Sequence, residues 1–287
     1  MLQQASLRDA VDEFVRDGDT VALEGTSHLV PFAAAHELIR QGRRNLTVAR
    51  LSPDLILDQL AGMGCASRLI FAWGGSPSLA RLHRLRASLQ GGGPRAPSTH
   101  LLRPTDMAAA YEAGAANLPF AALPGSGEAL TRARDPWIKP LRCPFTAAEL
   151  AVVQAIRPDV AFVHAQEADR SGNVLLWGGL GVQKLAALAS RRLIVTVEEI
   201  VDDLRAWPNA CTLPRALVSA VCVVPGGAYP SPALGHYERD NGFYRRWDTV
   251  SRCPDAFAAW MERHILATAD FGEFRRTLAG ASRRSSS

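Results

Sequence analysis

The chain has 287 residues, 47% hydrophobic and 21% charged, a balance that suits a folded globular protein and excludes a disordered one. Its formal charge of +4 rests almost wholly on arginine, since Lys139 and Lys184 are the only lysines. Those arginines form no stripe interleaved with aromatics, so no nucleic-acid partner is expected.

Leu7, Ala10, Val11, Phe14 and Val15 recur at helical spacing, with Ser6 as N-cap, and predict a helix over 6–17. Arg8, Asp9, Asp12 and Glu13 stand where a signal peptide needs an apolar core, which points to a cytoplasmic protein. Thr20-Val21-Ala22-Leu23 reads as a buried strand that runs into Glu24-Gly25-Thr26-Ser27. A helix follows over 31–39, a strand over 45–49, a helix opened by Pro53, and a strand over 68–72 ending in Trp73-Gly74-Gly75. Residues 90–98 form a loop within one domain, because the strand–helix rhythm resumes after it. An alanine-rich helix is expected over 106–116, and irregular chain from Gly125 to Pro144. Strands return at 160–164, 174–177, 193–197 and 220–224, and the chain is helical again from Pro254 to Leu278. The longest apolar stretches, such as Val160-Ala161-Phe162-Val163, fall far short of the ~20 residues a membrane helix needs.

This rhythm predicts an α/β fold: an open, mainly parallel sheet with flanking helices, as one domain over 1–280 with a disordered tail over 281–287. Such sheets bind ligands at the carboxyl ends of their strands. That rule selects Gly25, Thr26, Ser27 and His28 after the first strand and Gly74 and Gly75 after the third. Gly178 and Gly179, after Trp177, let a ligand or partner backbone approach closely. Asn173, which closes the turn Asp169-Arg170-Ser171-Gly172-Asn173 between two strands, is a further candidate for substrate or CoA binding. Glu24 is a candidate to face the site, His164 reads as a core or turn histidine, and His236 lies in a Pro/Gly-rich loop. Glu198 and Glu199 follow a strand and are expected to start a helix in a capping role. The five cysteines lack C-x-x-C spacing, which suits reduced thiols and no metal site.

Three blocks carry more than pattern: RPDVAFVHAQEAD followed by Asp169-x-Ser171-Gly172-Asn173, RRLIVTVEEIVDD at 191–203, and PGGAYPSP at 225–232. In this order they resemble the alpha (A) subunit of class I CoA-transferases, notably the glutaconate CoA-transferase group and the cholesterol ring-cleaving hydrolase alpha subunit. The resemblance implies a CoA-transferase (NagB/RpiA-like) sheet and a beta (B) subunit, joined in a heterotetramer or larger. It implies an acyl-CoA thioester as substrate, with no permanently bound cofactor, and a nucleophilic glutamate on the beta subunit. This chain has no S-E-N-G-type nucleophile motif, so no catalytic residue is assigned within it. The hydrolase pattern carries an acidic residue and an arginine flanking Leu118-Pro119-Phe120, where this chain has Pro104 and Pro124. Two alternatives stand beside a CoA-transferase alpha subunit: the alpha subunit of a ring-opening CoA-thioester hydrolase of steroid or aromatic catabolism, and a non-catalytic ligand-sensing domain.

Overall fold

A computed structural model describes residues 5–72, 81–90, 96–123 and 136–284. The first half alternates helix and strand: α1 (Leu7–Phe14), β1 (Thr20–Glu24), α2 (Phe32–Arg40), β2 (Leu46–Arg50), α3 (Leu55–Gly62), β3 (Ala66–Ala72), α4 (His83–Gln90) and β4 (Ser98–Leu102). Ser6 caps α1 by accepting from Asp9 N at 3.1 Å. Then come α5 (Pro104–Ala115) and a three-stranded antiparallel sheet of β5 (Phe120–Leu123), β6 (Ile138–Arg142) and β7 (Glu149–Gln154), in the order β5-β7-β6.

The main sheet resumes with β8 (Val160–Asp169), β9 (Val174–Leu176), α6 (Gln183–Ala189), β10 (Arg192–Val201), β11 (Cys211–Leu213) and β12 (Ala220–Val223). The chain ends with α7 (Asn241–Arg252), α8 (Pro254–Met261), a π-helical turn (Glu262–Leu266) and α9 (Phe271–Arg284). Among the described residues, seven strands run parallel in the order β12-β10-β8-β1-β2-β3-β4. β9 and β11 add an antiparallel flap to the distal half of β8.

Successive residues serve opposite faces, as a strand buried on both sides requires. Val21 and Leu23 of β1 and Phe162 of β8 face the core under α1–α3 and α7–α9. Ala22, Ala161 and Val163 face the second core, under α5, α6 and the small sheet. From β1 the strand order grows outward to β4 on one side, and from β8 outward to β12 on the other. The β1/β8 junction is therefore the topological switch point, where such sheets leave a crevice at their carboxyl ends.

Four expectations need correction. Asp54, not Pro53, is the residue that caps α3, accepting from Leu55 N. β10 continues through Val201, so Glu198 and Glu199 lie in a strand and do not open a helix. Its tenth residue still pairs with β8, which is equally long, and each strand satisfies the other's backbone groups beyond the point where a turn was expected. β6 occupies part of the stretch expected to be irregular, because β7 offers it a partner edge. α9 runs to Arg284, so residues 281–284 are helical and not a disordered tail, while 285–287 lie outside the described residues.

His36 illustrates a titratable group closed into the core. It is wholly buried on α2, edge-on to Phe274 at 4.7 Å, with Nε2 3.1 Å from Gln59 Oε1. Burial, helped by the Arg40 charge, pushes its pKa down to about 3. An unfolded chain protonates this ring near its ordinary value of 6.5, so between those limits unfolding takes up a proton. The stability advantage of the wild type over His36→Leu is expected to shrink as pH falls from 6.5 toward 4. The rate is up to about 1.4 kcal/mol per pH unit. Urea melts of both proteins at pH 7, 6 and 5 check this; a pH-independent difference contradicts it.

Candidate active site

The loop leaving β1 is a tight hook. A Cβ on Gly25 would sit 2.4 Å from the Leu29 carbonyl oxygen, so no other residue fits there without moving backbone. Ser27 and Leu29 take left-handed φ values of 57° and 51°. Below the hook lies Arg50, fully buried at the end of β2, donating Nη1 to Leu23 O at 2.5 Å and Nη2 to Gly25 O at 2.7 Å. Glu24 points inward. Its carboxylate accepts from Leu51 N at 3.0 and 3.1 Å and from Tyr111 Oη at 2.8 Å. Burial raises its pKa, with the Arg50 charge pulling the other way.

His28 returns from the hook toward the site. Its Nε2 accepts from Leu234 N at 2.9 Å, which ties the first loop to the loop after β12. Burial, then the neighbouring His164, lowers its pKa to about 4, so the ring is neutral at pH 7. Gly178 is packed on that ring, with φ 96° and a missing Cβ position 2.9 Å from His28 Cε1. Gly179 and Gly181 follow along the exposed surface.

A second polar cluster closes the carboxyl ends of β8 and β10. His164 is fully buried, with Nδ1 2.8 Å from Thr196 Oγ1 and Nε2 2.7 Å from Glu198 Oε1. A carboxylate only accepts, so Nε2 carries the proton. Glu198 also accepts from Gly226 N at 2.6 Å and Tyr237 Oη at 2.7 Å. Burial works to raise its pKa, but the hydrogen bonds and charge of His164, with Gly226 and Tyr237, outweigh it and the net shift is downward. Arg275 of α9 donates to Pro225 O at 3.2 Å and lies over the Tyr237 ring at 5.8 Å, holding this loop from outside. Gln166 bridges the loops by donating to Trp177 O at 3.0 Å and accepting from Trp177 N at 3.2 Å. Trp177 stacks on the half-exposed Trp207 at 4.8 Å.

Gly25, Thr26, Ser27, His28, Gly178 and Gly179 thus meet at the switch point. Asn173 does not join them: its Nδ2 donates to Asp169 Oδ2 at 2.8 Å within the turn and its Oδ1 accepts from Arg215 N at 3.0 Å, which ties the turn to the segment after β11. Gly74 and Gly75 lie outside the described residues. Glu24 turns away into the interior, and Glu167 is buried against Arg205 at 3.0 Å. His236 sits at the rim, its ring 6.3 Å from that of Trp177. Arg50, Gln166 and Tyr237 are contributors that local pattern does not single out, while His164 and Glu198 are read from it only as core and capping residues. A signal existed in β8, where His164, Gln166 and Glu167 are polar residues within a buried strand; Glu198 stands two places beyond Thr196, the register partner of His164, which only the strand pairing reveals.

The sequence profile described as Coenzyme A transferase matches residues 4–223. The chain belongs to the coenzyme A transferase family. Across nearly its whole length the transferase chain is 54% identical to the A subunit of the 3-oxoadipate CoA-transferase of Pseudomonas knackmussii, covering 97% of this chain and 99% of that one. It is 30% identical to the A subunit of the glutaconate CoA-transferase of Acidaminococcus fermentans, over 99% and 93% of the two chains. The crystal structure of the latter enzyme superposes with a TM-score of 0.83 at 28% identity, over 97% and 93% of the chains. A variant of the decarboxylase AibA/AibB matches with a TM-score of 0.75 at 31% identity, over 91% and 98%. This CoA-transferase chain is accordingly of the A-subunit type, and CoA thioesters are the substrate class of its family. Leu234, Tyr237 and Arg275 reach the site from beyond the span that the family profile matches. Among the described residues no helix is long and apolar enough to cross a membrane.

Proposed function

We propose that this chain is the A subunit of a transferase that moves coenzyme A onto a 3-oxo dicarboxylic acid of the 3-oxoadipate kind. It works in the cytoplasm, in a heterotetramer or larger assembly with a B subunit. The observation that carries the reading is the 54% identity, end to end, with the corresponding chain of a 3-oxoadipate CoA-transferase. Unpaired thiols at all five cysteines suit a reducing compartment.

The transfer is a double displacement. A glutamate from the B subunit's side of the site attacks the thioester carbonyl and expels CoA thiolate, leaving a mixed anhydride. The thiolate attacks the glutamyl carbonyl, releases the first acid as its carboxylate and leaves a glutamyl thioester. The acceptor carboxylate repeats the two steps in reverse, so one difficult exchange becomes several easier ones. Two features of this chain support a nucleophile from elsewhere. Glu24 and Glu198, the carboxylates nearest the switch point, each accept several buried hydrogen bonds and are committed to holding loops. What this chain brings is a neutral, fixed His28 and a glycine strip over which a large thioester can lie.

Co-expression with the B subunit, followed by mass spectrometry with a panel of dicarboxylyl-CoA donors, tests the reading. Formation of 3-oxoadipyl-CoA together with one equivalent of the free donor acid is expected, and neither polypeptide should turn over by itself. Thioester hydrolysis that needs no acceptor acid, or acceptance of monocarboxylates only, contradicts it.

A further inference from the structure

Buried donors and acceptors ordinarily find partners. Beside the switch point several do not, and three of them belong to residues that flank the glycine strip. Thr26 Oγ1, Gln183 Nε2 and His28 Nδ1 are shielded from solvent and hydrogen-bond to nothing among the described residues. Gln183 is only 2% exposed and His28 8%. The residues that carry them flank the glycine strip: a Cβ on Gly181 would lie 2.4 Å from Thr26 Oγ1 and 3.5 Å from Gln183 Oε1, and one on Gly178 would lie 2.9 Å from His28 Cε1. The strip itself brings no side chain, and Gly178, Gly179 and Gly181 are exposed.

The chemistry of the three is the same. Gln183 Oε1 accepts from Gly181 N at 2.6 Å, which fixes the amide so that its NH2 end is the one left over. His28 Nε2 is occupied by the Leu234 N–H, so a neutral ring carries its hydrogen on Nδ1. The Gly179 backbone lies beside that nitrogen, outside hydrogen-bond geometry. Thr26 adds a hydroxyl. The group therefore offers amide and imidazole hydrogens together with a hydroxyl that can donate a third.

We propose that Thr26, Gln183 and His28 form a pocket for an acyl oxygen of the substrate, either a carboxylate oxygen of the acid or the carbonyl oxygen of its thioester. The inference rests on the reading above that acyl substrates enter at the switch point. Neutral, preorganised donors suit an oxygen that is partly or fully charged and that becomes more so as a carbonyl is attacked. The polar atoms that the fold leaves unpartnered become satisfied when substrate arrives, so their cost is carried by the empty protein and returned on binding.

The test compares Thr26→Val, Thr26→Ser and Gln183→Glu, each in the complex with the B subunit. Thr26→Val keeps the branched shape and deletes the hydroxyl. Since that hydroxyl bonds nothing among the described residues, Tm is expected to stay level or rise, while kcat/KM falls about tenfold. Thr26→Ser restores most of the rate. Gln183→Glu keeps the acceptor for Gly181 N but turns the donor into an anion that repels a substrate oxygen, and a loss of about a hundredfold is expected. A rise in KM for the acid alone places the carboxylate oxygen in the pocket. A rise for the thioester alone places its carbonyl there, and a fall in kcat with both KM values unchanged places the oxygen that gains charge during attack. The proposal is overturned if Thr26→Val and Gln183→Glu stay within twofold of wild type in every parameter. It is also overturned if Thr26→Val loses Tm and rate together and Thr26→Ser rescues neither. A wild-type complex that prefers other acids revises the substrate class only; the variants are then compared on the acid it uses.

Discussion

Arg50→Met is expected to cost the isolated chain about 3–5 kcal/mol, the range for removing one partner of a buried ionic group. That is a large share of the ~5–15 kcal/mol that holds a typical domain together. The physical cause is specific. The guanidinium donates to the carbonyls of Leu23 and Gly25 and is the cation whose charge opposes the rise in pKa of Glu24 and Asp54, both buried. Methionine fills the volume but takes the Arg50 donors from two carbonyls and the larger counter-charge from two carboxyls, leaving Asp54 with Arg239. Those carboxyls then protonate more readily in the fold than in the unfolded chain, so the deficit should narrow as pH is lowered from 7 to 5. Urea unfolding at both values measures it. A midpoint within experimental error of wild type would show that Arg50 is not what holds the Gly25 hook.

Glu198→Gln should lower kcat/KM of the complex by about one to two orders of magnitude, from leaving a buried donor unsatisfied at roughly 1–3 kcal/mol. Three donors converge on that carboxylate, from His164, Gly226 and Tyr237. An amide presents hydrogens to at least one of them. The damage travels along the loop after β12, because Gly226 and Tyr237 bracket Leu234, whose N–H holds His28 in place. Steady-state kinetics alongside a melting curve checks the claim. Unchanged kinetics would confine the cluster to a packing role.

The sheet was legible because its strands are short apolar runs closed by Gly, Asp and Pro, and parallel strands buried on both faces have no polar alternation to confuse the reading. Thr20–Leu23, 45–49 and Val160–His164 are all recovered as strands. β5, β6 and β7 were not, because β6 contains Lys139, Pro140 and Arg142 and four of its five residues are exposed, so only the neighbouring strand reveals it. The hook at Gly25–His28 and the strip at Gly178–Gly179 were legible from glycine placement and the carboxyl-end rule. The Glu198 cluster was not. Its donors come from residues 164, 226 and 237, a convergence that depends on strand register and on a loop path that no local pattern encodes.

β1 is stitched to β2 on one edge and, at Val21, to Val160 on the other. A ribosome making this protein releases the first strand roughly 140 residues before its second neighbour. At common rates of synthesis that interval is on the order of ten seconds. Throughout it, a nascent chain already able to join β1, β2 and β3 exposes an apolar strand with one open edge, the kind of surface on which polypeptides aggregate. The ligand crevice is therefore among the last features to form during biogenesis, and prematurely terminated chains should be insoluble rather than partly active.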